Sequence, residues 1–218
     1  MPFSDYSRIV VDYSFPQGVA GAYTPDAADA LVVSSGITIT PQGSPTIDAN
    51  GGVWAAVNYG KILACTNVPA KATNIRKYQL WGEVPGTSVV SDGGATILMN
   101  TQDNNNEIRV IVQYLTGTSL FNLNILEIVA GVGTVKASAT LSAGLGLPTM
   151  WDLHVYDQGD ALWATLFAWE TDSPSEVNSV SMVYYLASRP FQSETEFSIG
   201  SRVTPSFAPV RGFRVSDV

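Results

Sequence analysis

The sequence predicts an all-β fold, a single domain built as a two-sheet antiparallel jelly-roll sandwich. Three observations lead there. Apolar residues recur with a period close to two along almost the whole chain, and turn residues punctuate it at short intervals. No stretch holds an i, i+3, i+4, i+7 pattern beyond about two helical turns. With no alternation of helix and strand, roughly twelve to fourteen short strands leave a sandwich or a barrel as the economical architectures. The 218 residues suit one large sandwich, and a domain of this size buries roughly 70% of the surface its unfolded chain exposes.

An early strand, Arg8 to Tyr13, starts close to the N-terminus. Residues 24–30 predict a single helical turn, capped by Thr24 with Pro25 at its first position. The middle of the chain is the clearest. Ala95, Ile97 and Met99 alternate with Thr96, Leu98 and Asn100, and Ile108, Val110, Val112 and Tyr114 alternate with Arg109 and Gln113. The cluster 102–106 between them reads as a hairpin turn, because Asn and Asp tolerate φ > 0 and close Asx-turns. Phe121, Leu123 and Ile125 alternate with Asn122 and Asn124 in a third strand, and a turn at Gly131-Val132-Gly133 leads to a fourth over 135–141.

A second hairpin follows. Trp151, Leu153 and Val155 alternate with Asp152, His154 and Tyr156, residues 157–160 turn the chain, and 161–169 return. In the returning strand Leu162, Ala164, Leu166 and Ala168 occupy one face, while Trp163, Phe167 and Trp169 share the other with Thr165. A strand apolar on both faces predicts burial on both sides, under a loop, the N-terminal segment, a partner or a ligand. The last strand lies around Phe213 and Val215.

Four passages carry a family resemblance. Lys77 to Val84 resembles the strand that opens the long central run of the concanavalin A-like lectin/glucanase jelly rolls, the superfamily that includes laminin G-like domains. Gly94 to Tyr114 resembles their central hairpin. Trp151-x-Leu153-x-Val155 with Gly159-Asp160-x-Leu162-x-Ala164 is similar to their late hairpin. Gly212 to Asp217 resembles their closing strand, which pairs near the chain start. The resemblance covers about 70–218 and leaves 1–70 as further strands of the sandwich or an N-terminal arm. It marks a fold rather than an activity.

Composition narrows the function. Charged residues make up 14% of the chain and the net charge is −8, with Arg76-Lys77 the only adjacent basic pair. A sequence-independent nucleic-acid binder needs clustered Lys and Arg to replace counterions, so nucleic acid is not an expected partner. The single cysteine, Cys65, can form no intrachain disulfide, which fits maturation in a reducing compartment. No export signal is read at Met1 to Tyr6, and no apolar run is long enough to span a membrane.

No catalytic constellation emerges. Retaining glycosidases of the resembled fold set carboxylates along one strand as Glu-x-Asp-x-(x)-Glu, about 5 Å apart across a cleft. The nearest run here, Glu170-x-Asp172 with Glu176, is interrupted by Pro174 and reads as a polar loop. The one histidine, His154, falls on the less buried face of its strand, and no Gly-x-Ser-x-Gly elbow accompanies it. Asp103, Asn105 and Glu107 offer oxygen ligands of the kind Ca²⁺ takes, but an Asn-rich hairpin tip needs no metal, and no cofactor is expected. Trp163, Phe167 and Trp169 are the aromatic surface for a ligand or partner, with Asn122 and Asn124 as hydrogen-bonding groups. Trp54, Trp81, Tyr184 and Tyr185 are read chiefly as core or interface.

Small standalone jelly rolls of this kind resemble accessory proteins of tailed-phage virions. That resemblance implies a non-enzymatic structural or attachment component, a head decoration or a tail or fibre part, made in the host cytoplasm and carried in the virion. Its partners would be other virion proteins, copies of itself as a homo-oligomer (a trimer by expectation), and possible host-surface glycans. The alternatives are a carbohydrate-binding module or lectin and, behind it, a divergent glycoside hydrolase or lyase.

Overall fold

The structure, a computed structural model, describes residues 8–55, 60–72, 74–85, 93–103, 105–115, 118, 120–142, 148–186, 196–201 and 210–218, without the side chains of 93 and 100–103. The first part of the chain gives seven strands: β1 (Arg8–Ser14), β2 (Gly21–Ala22), β3 (Ala30–Val33), β4 (Thr38–Pro41), β5 (Thr46–Ile47), β6 (Val53–Trp54) and β7 (Gly60–Thr66). The centre gives β8 (Arg76–Val84), β9 (Gly93–Asp103), β10 (Asn106–Leu115), β11 (Leu120–Val129) and β12 (Val132–Leu141). The last five are β13 (Thr149–Asp157), β14 (Ala161–Glu170), β15 (Asn178–Tyr185), β16 (Phe197–Ser201) and β17 (Val210–Asp217).

These strands form two antiparallel sheets. The ten-stranded sheet runs β15-β14-β13-β8-β17, and beyond β17 lie β1 with β3 and, separately, β6, β5 and β2. The seven-stranded sheet runs β12-β11-β10-β9-β16-β7-β4. The closing strand β17 pairs with β1 over Arg8–Ser14, as the resemblance implies. Strands from residues 8–66 enter both sheets, so this segment is interleaved with the sandwich.

Alternation does the folding. In β8 and β13 every second residue is buried, from Arg76 to Val84 and from Thr149 to Asp157, and the residues between stay half-exposed. Inner faces meet through aromatic contacts: Phe197 of β16 lies edge-on to Tyr78 at 5.7 Å and to Phe213 at 5.9 Å, and Phe213 stacks on Tyr13 at 5.2 Å. Trp151 is fully buried. One end of this core is closed by charge. Arg76 Nε donates to Asp217 Oδ1 at 2.7 Å and Nη2 to the Pro69 carbonyl at 2.9 Å, while the Ala72 amide donates to Asp217 Oδ2 at 3.0 Å. Beside them Lys71 pairs with Asp157 at 2.7 Å.

Three expectations need correcting. The helical turn is a 3-10 turn at Ala27–Asp29, capped by Asp26 rather than Thr24: Asp26 Oδ1 accepts from the Ala28 amide, and Asp29 reaches back to the Asp26 amide. Two reciprocal carboxylate bonds outcompete a single threonine cap. The β11–β12 turn is Ala130-Gly131, both at positive φ, with Val129 opposite Val132. Two such residues give the turn whose twist matches a hairpin. Burial on both faces occurs in β9 and β16, not over 161–169. There Ala95, Ile97, Met99, Phe197 and Ile199 face the core, and the outward Thr96, Leu98 and Ser198 are buried as well. In β14 only the inward face is sealed, and Trp163 is 43% exposed.

Candidate functional site

The register of the ten-stranded sheet places a band of aromatic and polar side chains on its outer face. In the β13–β14 hairpin Tyr156 lies opposite Trp163, His154 opposite Thr165, Asp152 opposite Phe167 and Met150 opposite Trp169. On the other side of β13, His154 faces Gln79 of β8, Tyr156 faces Lys77 and Asp152 faces Trp81. The row continues through Arg214 of β17, opposite Gln79, to Asp12 of β1, opposite Arg214. Period-two alternation within each strand, together with this order and register between strands, puts all of these on one face.

The polar members hold each other in place. Gln79 Nε2 donates to Asp152 Oδ2 at 2.8 Å, and His154 Nε2 lies 3.1 Å from the same oxygen. The imidazole sits edge-on to Phe167, ring centroids 5.1 Å apart. Arg214 donates through Nε and Nη2 to Asp12 Oδ2 at 3.0 and 2.6 Å; Asp12 is buried, while the Arg214 side chain is 44% exposed. Lys77 Nζ sits 5.7 Å from the Tyr156 ring centroid, and Arg211 pairs with Glu83 at the margin. Trp81 lies against Gly212, where a Cβ would come within 2.3 Å of its indole. The outcome is a surface on which Arg214 and Arg211 are paired with carboxylates and whose aromatic rings are partly open to solvent.

The expected site residues divide. Trp163, Phe167 and Trp169 stand on this face, the last two half-buried. Asn122 and Asn124 belong to β11 and point outward from the seven-stranded sheet, the opposite side of the sandwich. Asn122 Oδ1 there accepts from Thr140 Oγ1 at 2.9 Å. The two sets therefore do not form one site. Trp54 and Trp81 are half-buried rather than core, Tyr184 packs against the core edge, and Tyr185 is exposed. Gln79, Asp152, Tyr156 and Arg214 escaped sequence reasoning. The symmetric turn at 157–160 fixes the 152–167, 154–165 and 156–163 pairs and was the signal available for part of the set.

The other constellations lie elsewhere. Glu170 ends β14, and the chain then turns twice, with Ser173 N donating to Glu170 O and Glu176 N to Ser173 O, both at 3.1 Å. Glu170, Asp172 and Glu176 thus share no strand face. The Asp103 side chain and all of Asn104 lie outside the described residues; Asn105 is exposed, and Glu107 is buried and paired with Arg109. Among the described residues no three His, Cys, Asp or Glu side chains gather as a metal site. Cys65 is buried, and burial pushes its thiol pKa far above the ordinary value.

No protein-family model matches the chain, and no curated protein matches its sequence. Among solved structures, the fold is similar to the CBM2 module of the evolved Dit of Lactobacillus casei BL23 phage J-1, with a TM-score of 0.54 and 9% identity over 93% of this chain and 99% of that one. It is also similar to winged bean acidic lectin complexed with methyl-alpha-D-galactose, with a TM-score of 0.47 and 10% identity over 91% and 98% of the two chains. Tailspike protein 2 of Escherichia coli O157:H7 bacteriophage CAB120 is similar at a TM-score of 0.44 and 10% identity, over 91% of this chain and 26% of that one. At such identities the likeness is one of fold alone, an all-β sandwich of two antiparallel sheets.

Proposed function

We propose that this chain is a non-enzymatic accessory module of a phage particle that binds carbohydrate on the outer face of its ten-stranded sheet. One observation carries the binding reading: partly open rings of Trp163, Phe167, Trp169 and Tyr156 interleaved with the polar groups of Gln79, Asp152, His154 and Arg214. A sugar ring presents apolar C–H faces and a rim of hydroxyls, so it needs flat aromatic platforms beside fixed donors and acceptors. The pairing of Arg214 with Asp12 and of Arg211 with Glu83 suits such a ligand, since neither arginine is left as an open anion site. The turns after β14 separate the carboxylates that a hydrolase would need in one cleft, which favours a binder over an enzyme.

The fold likeness to the phage J-1 Dit module supports placing the chain in a virion. Contacts with other virion proteins and a trimeric assembly belong to the same proposal. The exposed Val129, Val132 and Val135 at the β11–β12 hairpin are an apolar surface available for them. The carbohydrate reading is tested by tryptophan fluorescence titration against a panel of soluble glycans. Binding is expected with and without Ca²⁺, and Trp163→Ala should weaken it roughly tenfold or more, the worth of one aromatic platform. Absence of binding to every glycan, or an unchanged affinity in Trp163→Ala, would contradict it.

A further inference from the structure

Resting on the carbohydrate reading, we infer that the site takes a neutral oligosaccharide laid across the strands, running from Trp163 on β14 to Arg214 on β17. The cross-strand row Thr165, His154, Gln79, Arg214, Asp12 is a polar lane perpendicular to the strands. Trp163 and Tyr156 border it on one side, and Phe167 and Trp81 on the other. From β14 to β17 there are three strand intervals, a span of about 14 Å at the usual sheet spacing. One pyranose ring cannot bridge that distance, but a short chain can.

The lane is pre-set for hydroxyls. Arg214 uses Nε and Nη2 on Asp12 Oδ2, and its exposed remainder keeps further N–H donors for a ligand. Gln79 spends its amide N–H on Asp152, leaving its carbonyl oxygen as an acceptor in mid-lane. Because Asp12 and Asp152 are already in place before binding, little ordering cost falls on the protein.

Charge selects against anions. Arg214 is neutralised by Asp12 and Arg211 by Glu83, Asp152 adds a carboxylate beside His154, and the whole chain carries −8. A uronate or phosphate-bearing polymer gains no unpaired arginine and meets a repulsive long-range field. A neutral chain loses nothing there.

Isothermal titration of the intact protein with neutral gluco-, galacto- and manno-oligosaccharides, from monosaccharide to hexasaccharide, tests this, with oligogalacturonate as the anionic probe. Affinity for the recognised series should rise roughly tenfold or more between one unit and four and then level off. Trp163→Ala and, separately, Gln79→Ala should flatten the rise; Gln79 is half-exposed, so its variant tests the lane if Trp163→Ala fails to fold. Equal affinity for monosaccharide and tetrasaccharide, or tighter binding of oligogalacturonate, would overturn the lane while leaving carbohydrate binding intact. No binding to any probe would overturn both.

Discussion

Arg76→Met is expected to lower the unfolding free energy by about 3–5 kcal/mol, the usual cost of stranding one member of a buried ion pair. Both side chains are removed from water, with Arg76 6% and Asp217 0% exposed. The pair joins β8 to the last strand at the end of the core, and the same carboxylate holds the Ala72 amide of the preceding loop. Methionine keeps the volume and removes the charge, so the cost reports the abandoned carboxylate rather than a cavity. Urea unfolding at neutral pH measures it; a loss below about 1 kcal/mol would place the pair in the class of exposed salt bridges.

The same group sets an acid limit. Burial pushes the Asp217 carboxyl up, but the hydrogen bonds from Arg76 and Ala72 and the positive charge of Arg76 outweigh it, so its pKa lies below the ordinary value. A folded pKa below the unfolded one stabilises at pH values above the unfolded value of about 3.9, and that stability is lost as pH falls through the folded value. In Arg76→Met burial is opposed only by the Ala72 hydrogen bond and the Arg8 charge. Acid unfolding should therefore begin at a higher pH than in the wild type.

Gly212→Ala is the second large effect, and it links the core to the proposed binding face. A Cβ there would stand 2.3 Å from Trp81 Cζ2 and 2.6 Å from the Tyr13 carbonyl oxygen. The indole can rotate away, but the carbonyl belongs to the β1 backbone that pairs with β17. Overpacking of this kind costs about 1–3 kcal/mol, and here it also unseats a ring bordering the lane. Loss of both thermal stability and glycan affinity is expected. Gly133→Ala is the control, because its Cβ meets only Ile128 and Leu126 side-chain atoms at 3.8 and 3.9 Å. Equal melting temperatures for the two variants would refute the close packing at Gly212.

Much of this architecture was legible because β-structure writes its faces into alternate residues. The hairpins 95–114 and 151–169 could be placed from alternation and turn chemistry, and the 151–169 register follows from the symmetric turn between its strands. Sheet order could not be read this way. Nothing local in Gln79, Arg214 or Asp12 says that β8, β17 and β1 lie side by side, since Gln79 and Arg214 are 135 positions apart and Asp12 and Arg214 are 202. For the same reason Asn122 and Asn124 were grouped with tryptophans that prove to stand on the other side of the sandwich. Apolarity on both faces also misleads at Trp163, which is 43% exposed. At β16 the outward Ser198 looks polar in sequence yet is fully buried.

The central claim, that the outer face of the ten-stranded sheet is the binding surface, is tested most directly by hydroxyl-radical footprinting of the protein with and without its tightest-binding glycan. Protection should be concentrated on Trp163, Tyr156 and Phe167, with the exposed Val132 and Val135 of β12 unchanged. Protection confined to β12, or to the outward residues of β11 around Asn122 and Asn124, would move the site to the other sheet and contradict the claim.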